Sequence, residues 1–159
     1  MMGSRDLSHS LESSPALAAR RYAIEANSIG APRAVRLSRG LRLVTVMRPS
    51  SPNVAARVYV RAGSRYDGER AWCGATGPCL GLAHLMGHLL FKGTTRRSQR
   101  EIFADIEELG GALDGGTSKE YISLSAVVPA HGLEAALTTL AELMIRPVLR
   151  EEDVWNEKL

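Results

Sequence analysis

The sequence predicts an α+β fold in which helices cover one side of a mainly antiparallel sheet. Short alternating strands, helices with one apolar face, and an irregular order of the two along the chain lead to this prediction. Regular βαβ alternation would instead indicate a parallel sheet. With 159 residues, the chain is long enough for one domain with a buried core. We expect that domain to span residues 33–159, after a flexible Ser-, Ala- and Arg-rich extension over residues 1–32.

Three strands are predicted from the alternation of apolar and polar residues. Leu41–Met47 follows a turn at Arg39-Gly40, and Val54–Val60 alternates with period two. Prolines between these two strands mark a reversal, so we expect them to form a hairpin-like pair. The third strand, Tyr121–Val128, is expected to bury the apolar row Ile122, Leu124, Ala126 and Val128.

Four helices follow from apolar periodicity and end signals. Cys79–Phe91 is a buried helix, Ser98–Leu109 begins with a capping box formed with Glu101, and Gly132–Ile145 ends before a proline. A fourth helix begins near Glu151 and reaches the last residue without Gly, Asn or Pro, so we interpret the domain as truncated. The residues expected to face inward are Ile102, Phe103, Ile106 and Leu109 in the second helix, Leu133, Leu137, Leu140 and Met144 in the third, and Val154, Trp155 and Leu159 in the fourth.

Composition excludes several classes of function. The net charge of +3 is mild, and no basic face with aromatic residues points to nucleic acid. The longest apolar stretch, Leu80–Leu90, is interrupted and too short for a membrane span. We therefore expect a soluble protein, cytoplasmic or organellar. We interpret Cys73 and Cys79 as two unrelated thiols rather than a disulfide that closes the loop. The spacing between them is too wide for a C-x-x-C metal-binding motif.

Two histidines carry the strongest chemical signal. His84 and His88 are four residues apart in the predicted buried helix, so both imidazoles project from the same face. Helical histidines at this spacing can bind a single zinc ion. The alternative reading is a pair of partly buried histidines that hydrogen-bond to the backbone.

The segment around these histidines resembles a known family. Gly81–Thr94 resembles the zinc helix of the pitrilysin/insulinase metallopeptidases, the inverted zincins, which include the mitochondrial processing peptidase and the core subunits of the cytochrome bc complex. Ala62–Tyr66, Glu108–Asp114 and Thr117–Tyr121 resemble the family's neighbouring strand ends and glycine turn. The last two predicted helices also match, so the resemblance runs from about Arg36 to the end.

The resemblance implies a zinc site with two defects. It makes His84 and His88 zinc ligands, but Gly87 stands where the family's H-x-x-E-H motif has its general-base glutamate. Glu157 resembles a glutamate that precedes the family's third ligand by about seven residues. That ligand would fall near position 164, beyond the last residue, so we expect a weak or incomplete zinc site.

The resemblance also implies a peptide-binding strand and a partner. Asp114 stands where the family commonly has asparagine, in a turn before the strand thought to hold extended peptide, and Thr117 and Ser118 follow it. The expected partners are a peptide substrate or a second homologous domain or subunit.

Three hypotheses of function remain open at this point. The chain is a zinc metallopeptidase-like protein without hydrolytic activity, which Gly87 favours. Alternatively, it is an active zinc metalloendopeptidase, or a subunit of one, whose base comes from Glu120, Glu157 or a partner chain. The third hypothesis is a fragment without a function of its own.

Overall fold

The computed structural model describes residues 30–67 and 80–157. Residues 1–29 of the predicted extension, Cys73, Cys79 and the last two residues lie outside this range. The described chain divides into two compact units, one up to Ser51 and one from Pro52 onward.

The first unit contains a two-stranded antiparallel hairpin. Strand β1 (Arg33–Arg36) pairs with β2 (Arg42–Thr45) across a 3-10 turn at Ser38–Gly40. The predicted strand at Leu41–Met47 is therefore present as β2, but its predicted pairing with the following strand is wrong. The pairing was missed because the four-residue β1 (Arg-Ala-Val-Arg) is too short to show a clear apolar alternation.

The second unit is built on three antiparallel strands in the order β3–β5–β4. Strand β3 covers Asn53–Val60, β4 covers Ala112–Thr117 and β5 covers Ile122–Pro129. The full length of β3 pairs with β5, although about sixty residues separate them along the chain. Strand β4 pairs with β5 through the short hairpin at residues 118–121. Among the described strands of this unit, β4 has a neighbour on one side only.

Between residues 80 and 157, four α-helices accompany this sheet, and all four were predicted. They are α1 (Leu82–Leu89), α2 (Gln99–Glu108), α3 (Leu133–Ile145) and α4 (Glu151–Glu157). The predicted capping box of α2 is confirmed, because the Ser98 hydroxyl accepts from the Glu101 N–H and the Glu101 carboxylate accepts from the Ser98 N–H.

The helices bury one face of the sheet, which confirms the predicted α+β class. The predicted row of β5 is fully buried against apolar residues of α1, α2 and α3. The opposite face exposes Arg57 and Tyr59 of β3 and Val127 of β5. The core residues are Ala83, Leu90, Ile102, Ile106, Ile122, Leu124, Ala126, Val128, Ala136, Leu140 and Leu143.

Two of the inward-facing predictions are wrong. Leu137 is 50% exposed, because the buried stripe of α3 runs through Ala136, Leu140 and Leu143 instead. Trp155 is 60% exposed, and its indole N–H donates to the carboxylate of Glu151 on the same helix. Within the described part of the chain, no helix combines the length and apolarity needed to cross a bilayer.

Candidate metal centre

The two histidine rings of α1 face each other at the surface of a cleft. The Nε2 atoms of His84 and His88 lie 3.2 Å apart, with ring centroids 4.7 Å apart and ring planes at 67°. Two nitrogens bound tetrahedrally to zinc at about 2.0–2.1 Å would be about 3.3–3.4 Å apart. Both rings are exposed rather than tied to backbone groups in the core. The distance between the two Nε2 atoms is thus close to that of a pair bound to one divalent ion, and it also lies within hydrogen-bond range.

Glu157 lies behind His88 rather than beside the facing nitrogens. Its Oε2 atom is 3.3 Å from His88 Nδ1, and its Oε1 atom accepts from Lys92 Nζ at 2.6 Å. The hydrogen bond from Lys92 holds the pKa of the Glu157 carboxyl below its usual value. A carboxylate at Nδ1 selects the tautomer that leaves the Nε2 lone pair free, as is common for metal-binding histidines. Glu157 is thus placed to orient His88.

A third protein ligand is not part of this arrangement. Across residues 30–67 and 80–157, no group of three or more His, Cys, Asp and Glu side chains is arranged to hold a metal ion. This part of the chain offers an ion two imidazole nitrogens and leaves the other coordination positions to other donors.

Gly87 lies between the histidines and against strand β4. A Cβ atom built on Gly87 would overlap the hydroxyl of Thr117. That hydroxyl donates to the carbonyl oxygen of Ala83 at 3.3 Å, so it bridges β4 and the first turn of α1. The space beside Gly87 is therefore filled by the Thr117 side chain.

The cleft beside the histidines has a volume of about 410 Å³. One wall consists of α1 and Lys92, and the other consists of β4 from Leu113 to Thr117, including Asp114. Phe91 and Phe103 make one part of the cleft apolar. Asp114 lies within strand β4, so the prediction that it occupies a turn is wrong. The cleft thus combines the histidine pair with β4, one of the two edge strands of the described sheet.

Two other predicted residues lie apart from the cleft lining. The Ser118 hydroxyl accepts from the N–H groups of Glu120 and Tyr121 and stabilises the β4–β5 turn. The Glu120 carboxylate forms an ion pair with Arg65 at 2.6 Å. The structure therefore brings together His84, Gly87, His88, Asp114, Thr117 and Glu157, and leaves Ser118 and Glu120 outside.

Sequence reasoning assigned no role to Asp67 and Lys92. The Asp67 carboxylate accepts from the N–H groups of Gly81 and Ala83 at the start of α1, and Lys92 holds Glu157. The sequence offered one weak signal for Asp67: an acidic residue lies upstream of a helix whose first residue is preceded by glycine, which cannot cap the helix with a side chain. No local motif indicates either contact, because the partners are far apart along the chain.

Comparison with known proteins shows the family to which the chain belongs. The family described as Insulinase (Peptidase family M16) matches residues 42–159. An uncharacterized zinc protease of Streptomyces coelicolor is 35% identical over 132 residues, which make up 83% of this chain and 27% of that protein. A probable mitochondrial-processing peptidase subunit beta of Arabidopsis thaliana is 31% identical over 126 residues, 79% of this chain and 22% of the relative.

A solved structure shares the fold. A protease from Helicobacter pylori superimposes with a TM-score of 0.69 at 24% identity, covering 82% of this chain and 29% of that one. The chain thus spans 22–29% of the length of these three relatives. The family match covers most of the chain, including the helix with both histidines. The chain therefore belongs to the insulinase family of peptidases, M16, and corresponds to the N-terminal part of its members.

Proposed function

We propose that this chain is a zinc-binding, peptidase-like member of the insulinase family that does not hydrolyse peptides by itself. The observation that carries the proposal is the pair of facing Nε2 atoms, 3.2 Å apart, with glycine at position 87 between them. The two facing nitrogens support zinc binding, and the absence of a side chain at Gly87 supports the lack of hydrolysis.

His84 and His88 would hold the ion, and Glu157 would orient His88 through Nδ1. When bound, zinc supplies Lewis acidity at the cleft. Hydrolysis also needs a proton acceptor beside the attacking water, and loss of a positioned base typically lowers the rate about 10²–10⁴-fold. Gly87 has no acceptor, the Thr117 hydroxyl donates to Ala83, and Glu157 lies at the opposite nitrogen of His88. In the proposed site, the described residues would therefore bind zinc but supply no general base for hydrolysis.

The cleft would hold an extended peptide along β4. A strand with a neighbour on one side only offers N–H and C=O groups to an added strand, which binds peptide through backbone hydrogen bonds. Asp114 and Thr117 line this edge and are the candidate peptide contacts. Because one relative is named as a subunit of a processing peptidase, we further propose that the peptide is enclosed together with a second homologous domain or subunit.

Zinc titration tests the metal site. Calorimetry should show one ion per wild-type chain, and binding should be lost in His84→Ala. His131→Ala is the matched control, because His131 is exposed in a separate 3-10 turn at Ala130–Gly132. Equal affinity of wild type and His84→Ala would refute the metal assignment.

Peptide cleavage tests the missing base. Purified protein with excess zinc should leave a mixture of unstructured peptides intact. Zinc-dependent cleavage that disappears in His84→Ala would instead establish an active endopeptidase. Chemical denaturation of the same protein tests the third hypothesis, because stable, cooperative unfolding would count against a fragment without a function of its own.

A further inference from the structure

Helix α1 begins without a cap of its own. Its N-cap residue is Gly81, which has no side chain to accept the free N–H groups of the first turn. The Asp67 carboxylate replaces that cap from another segment: Oδ2 accepts from the Gly81 N–H at 3.1 Å, and Oδ1 accepts from the Ala83 N–H at 2.9 Å. Asp67 is buried, with 7% of its surface exposed, so water competes little for these bonds.

The capped turn carries one of the two histidines. His84 is the third residue of α1, whereas His88 is in its last turn. A helix of eight residues is short, and isolated helices of this length are marginal in water. The position of His84 therefore depends on contacts that hold the first turn. Asp67 supplies them at the N–H groups, and Thr117 supplies one at the Ala83 carbonyl.

Asp67 is itself fixed to the sheet. It follows the 3-10 turn Ser64–Tyr66, and its N–H donates to the Ser64 carbonyl at 3.3 Å. The N–H groups of Ser64 and Arg65 donate to the carbonyls of Ser118 and Lys119, each at 3.0 Å. The chain of contacts thus runs from the β4–β5 turn through Asp67 to the start of α1.

We propose that Asp67 is a positioning residue of the metal centre, which holds the first turn of α1 so that His84 faces His88. The metal part of this inference rests on the proposed zinc binding, whereas the part concerning the first turn does not. Removal of one cap acceptor should weaken zinc binding about tenfold, at the lower end of the effect of residues that orient metal ligands.

The test compares Asp67→Asn with Ser98→Ala. Both variants weaken the side-chain cap of a helix, but Ser98 caps α2 and holds neither histidine. Zinc calorimetry should show about tenfold weaker binding in Asp67→Asn and wild-type affinity in Ser98→Ala. In metal-free protein, amide hydrogen exchange should accelerate in Asp67→Asn alone at Ala83 and Leu85, whose N–H groups donate to Asp67 and to the Gly81 carbonyl. A purely structural role would lower stability in both variants and leave zinc affinity unchanged.

The wild-type protein provides a check that needs no variant. Slow exchange of the Gly81 and Ala83 amides supports the contact with Asp67, and unprotected exchange at both overturns the inference. Equal zinc affinity of Asp67→Asn and wild type also overturns it. Absence of zinc binding in wild type would refute the proposed function, while the exchange data would still decide whether Asp67 holds the first turn.

Discussion

The contact between Gly87 and Thr117 leads to a measurable coupling between helix and strand. Alanine in a helix interior is about 1 kcal/mol more favourable than glycine. The Cβ atom of Gly87→Ala, however, would overlap the Thr117 hydroxyl and turn it away from the Ala83 carbonyl. Loss of that hydrogen bond costs about 0.5–1.5 kcal/mol. We therefore expect Gly87→Ala to leave the free energy of unfolding within about 0.5 kcal/mol of wild type.

Removal of the Thr117 hydroxyl should reveal the preference of helix α1 for alanine over glycine at position 87. In the Thr117→Ala background no hydroxyl is displaced, so Gly87→Ala should stabilise the protein by about 1 kcal/mol. The coupling in the double-mutant cycle is thus about 1 kcal/mol, within the range observed for residues in contact. Ser118→Ala is the control background, because Ser118 bonds within the β4–β5 turn and does not contact Gly87.

Urea unfolding followed by circular dichroism measures all six proteins of the two cycles. The expected result is a coupling of about 1 kcal/mol with Thr117 and additive free energies with Ser118. If Gly87→Ala stabilises the wild-type background by the same amount as the Thr117→Ala background, the hydroxyl does not occupy the space beside Gly87 and the reasoning is wrong.

Two further predictions concern stability away from the histidines. Burial raises the pKa of the Glu142 carboxyl, but hydrogen bonds from Arg97 and Thr94 outweigh this and leave the pKa below its usual value. The stabilisation that the Glu142 carboxylate contributes is therefore complete above its unfolded pKa of about 4.3 and is lost as pH falls through the lower folded pKa. The free energies of unfolding of wild type and Glu142→Gln, measured in urea, should therefore converge in acid. A Cβ on Gly63 would overlap the backbone of Lys119, so Gly63→Ala should cost about 1–3 kcal/mol, whereas Gly116→Ala, with open space around it, should be nearly neutral in thermal unfolding.

Local patterns predicted the elements that depend on neighbouring residues. The capping box of α2 and the buried row of β5 are confirmed, because three-residue and two-residue spacings determine them. The pairing of β3 with β5 was not predicted, because sequence alternation does not specify which strands are partners. The exposure of Leu137 and Trp155 was missed because a helix with many apolar residues has more than one possible apolar face, and the sequence does not show which face is buried.

In the candidate site, too, local spacing was predictable from the sequence and long-range contacts were not. The spacing of His84 and His88 follows from the helical repeat, so the facing rings were predictable from residues alone. The contacts of Asp67 with α1 and of Glu157 with His88 span 14–16 and 69 residues, so only the tertiary structure reveals them. Sequence reasoning therefore located the two histidines but not the groups that hold them in place.

In the proposed site, metal binding and catalysis would depend on different groups around helix α1. The ligand geometry depends on groups outside α1: Asp67 at its start, Thr117 across from Gly87, and Glu157 behind His88. In the proposed site, Gly87 lies between the two histidines and has no side chain to accept a proton. A glutamate at position 87 would supply a carboxylate, but its Cβ atom would occupy space that the Thr117 hydroxyl now fills.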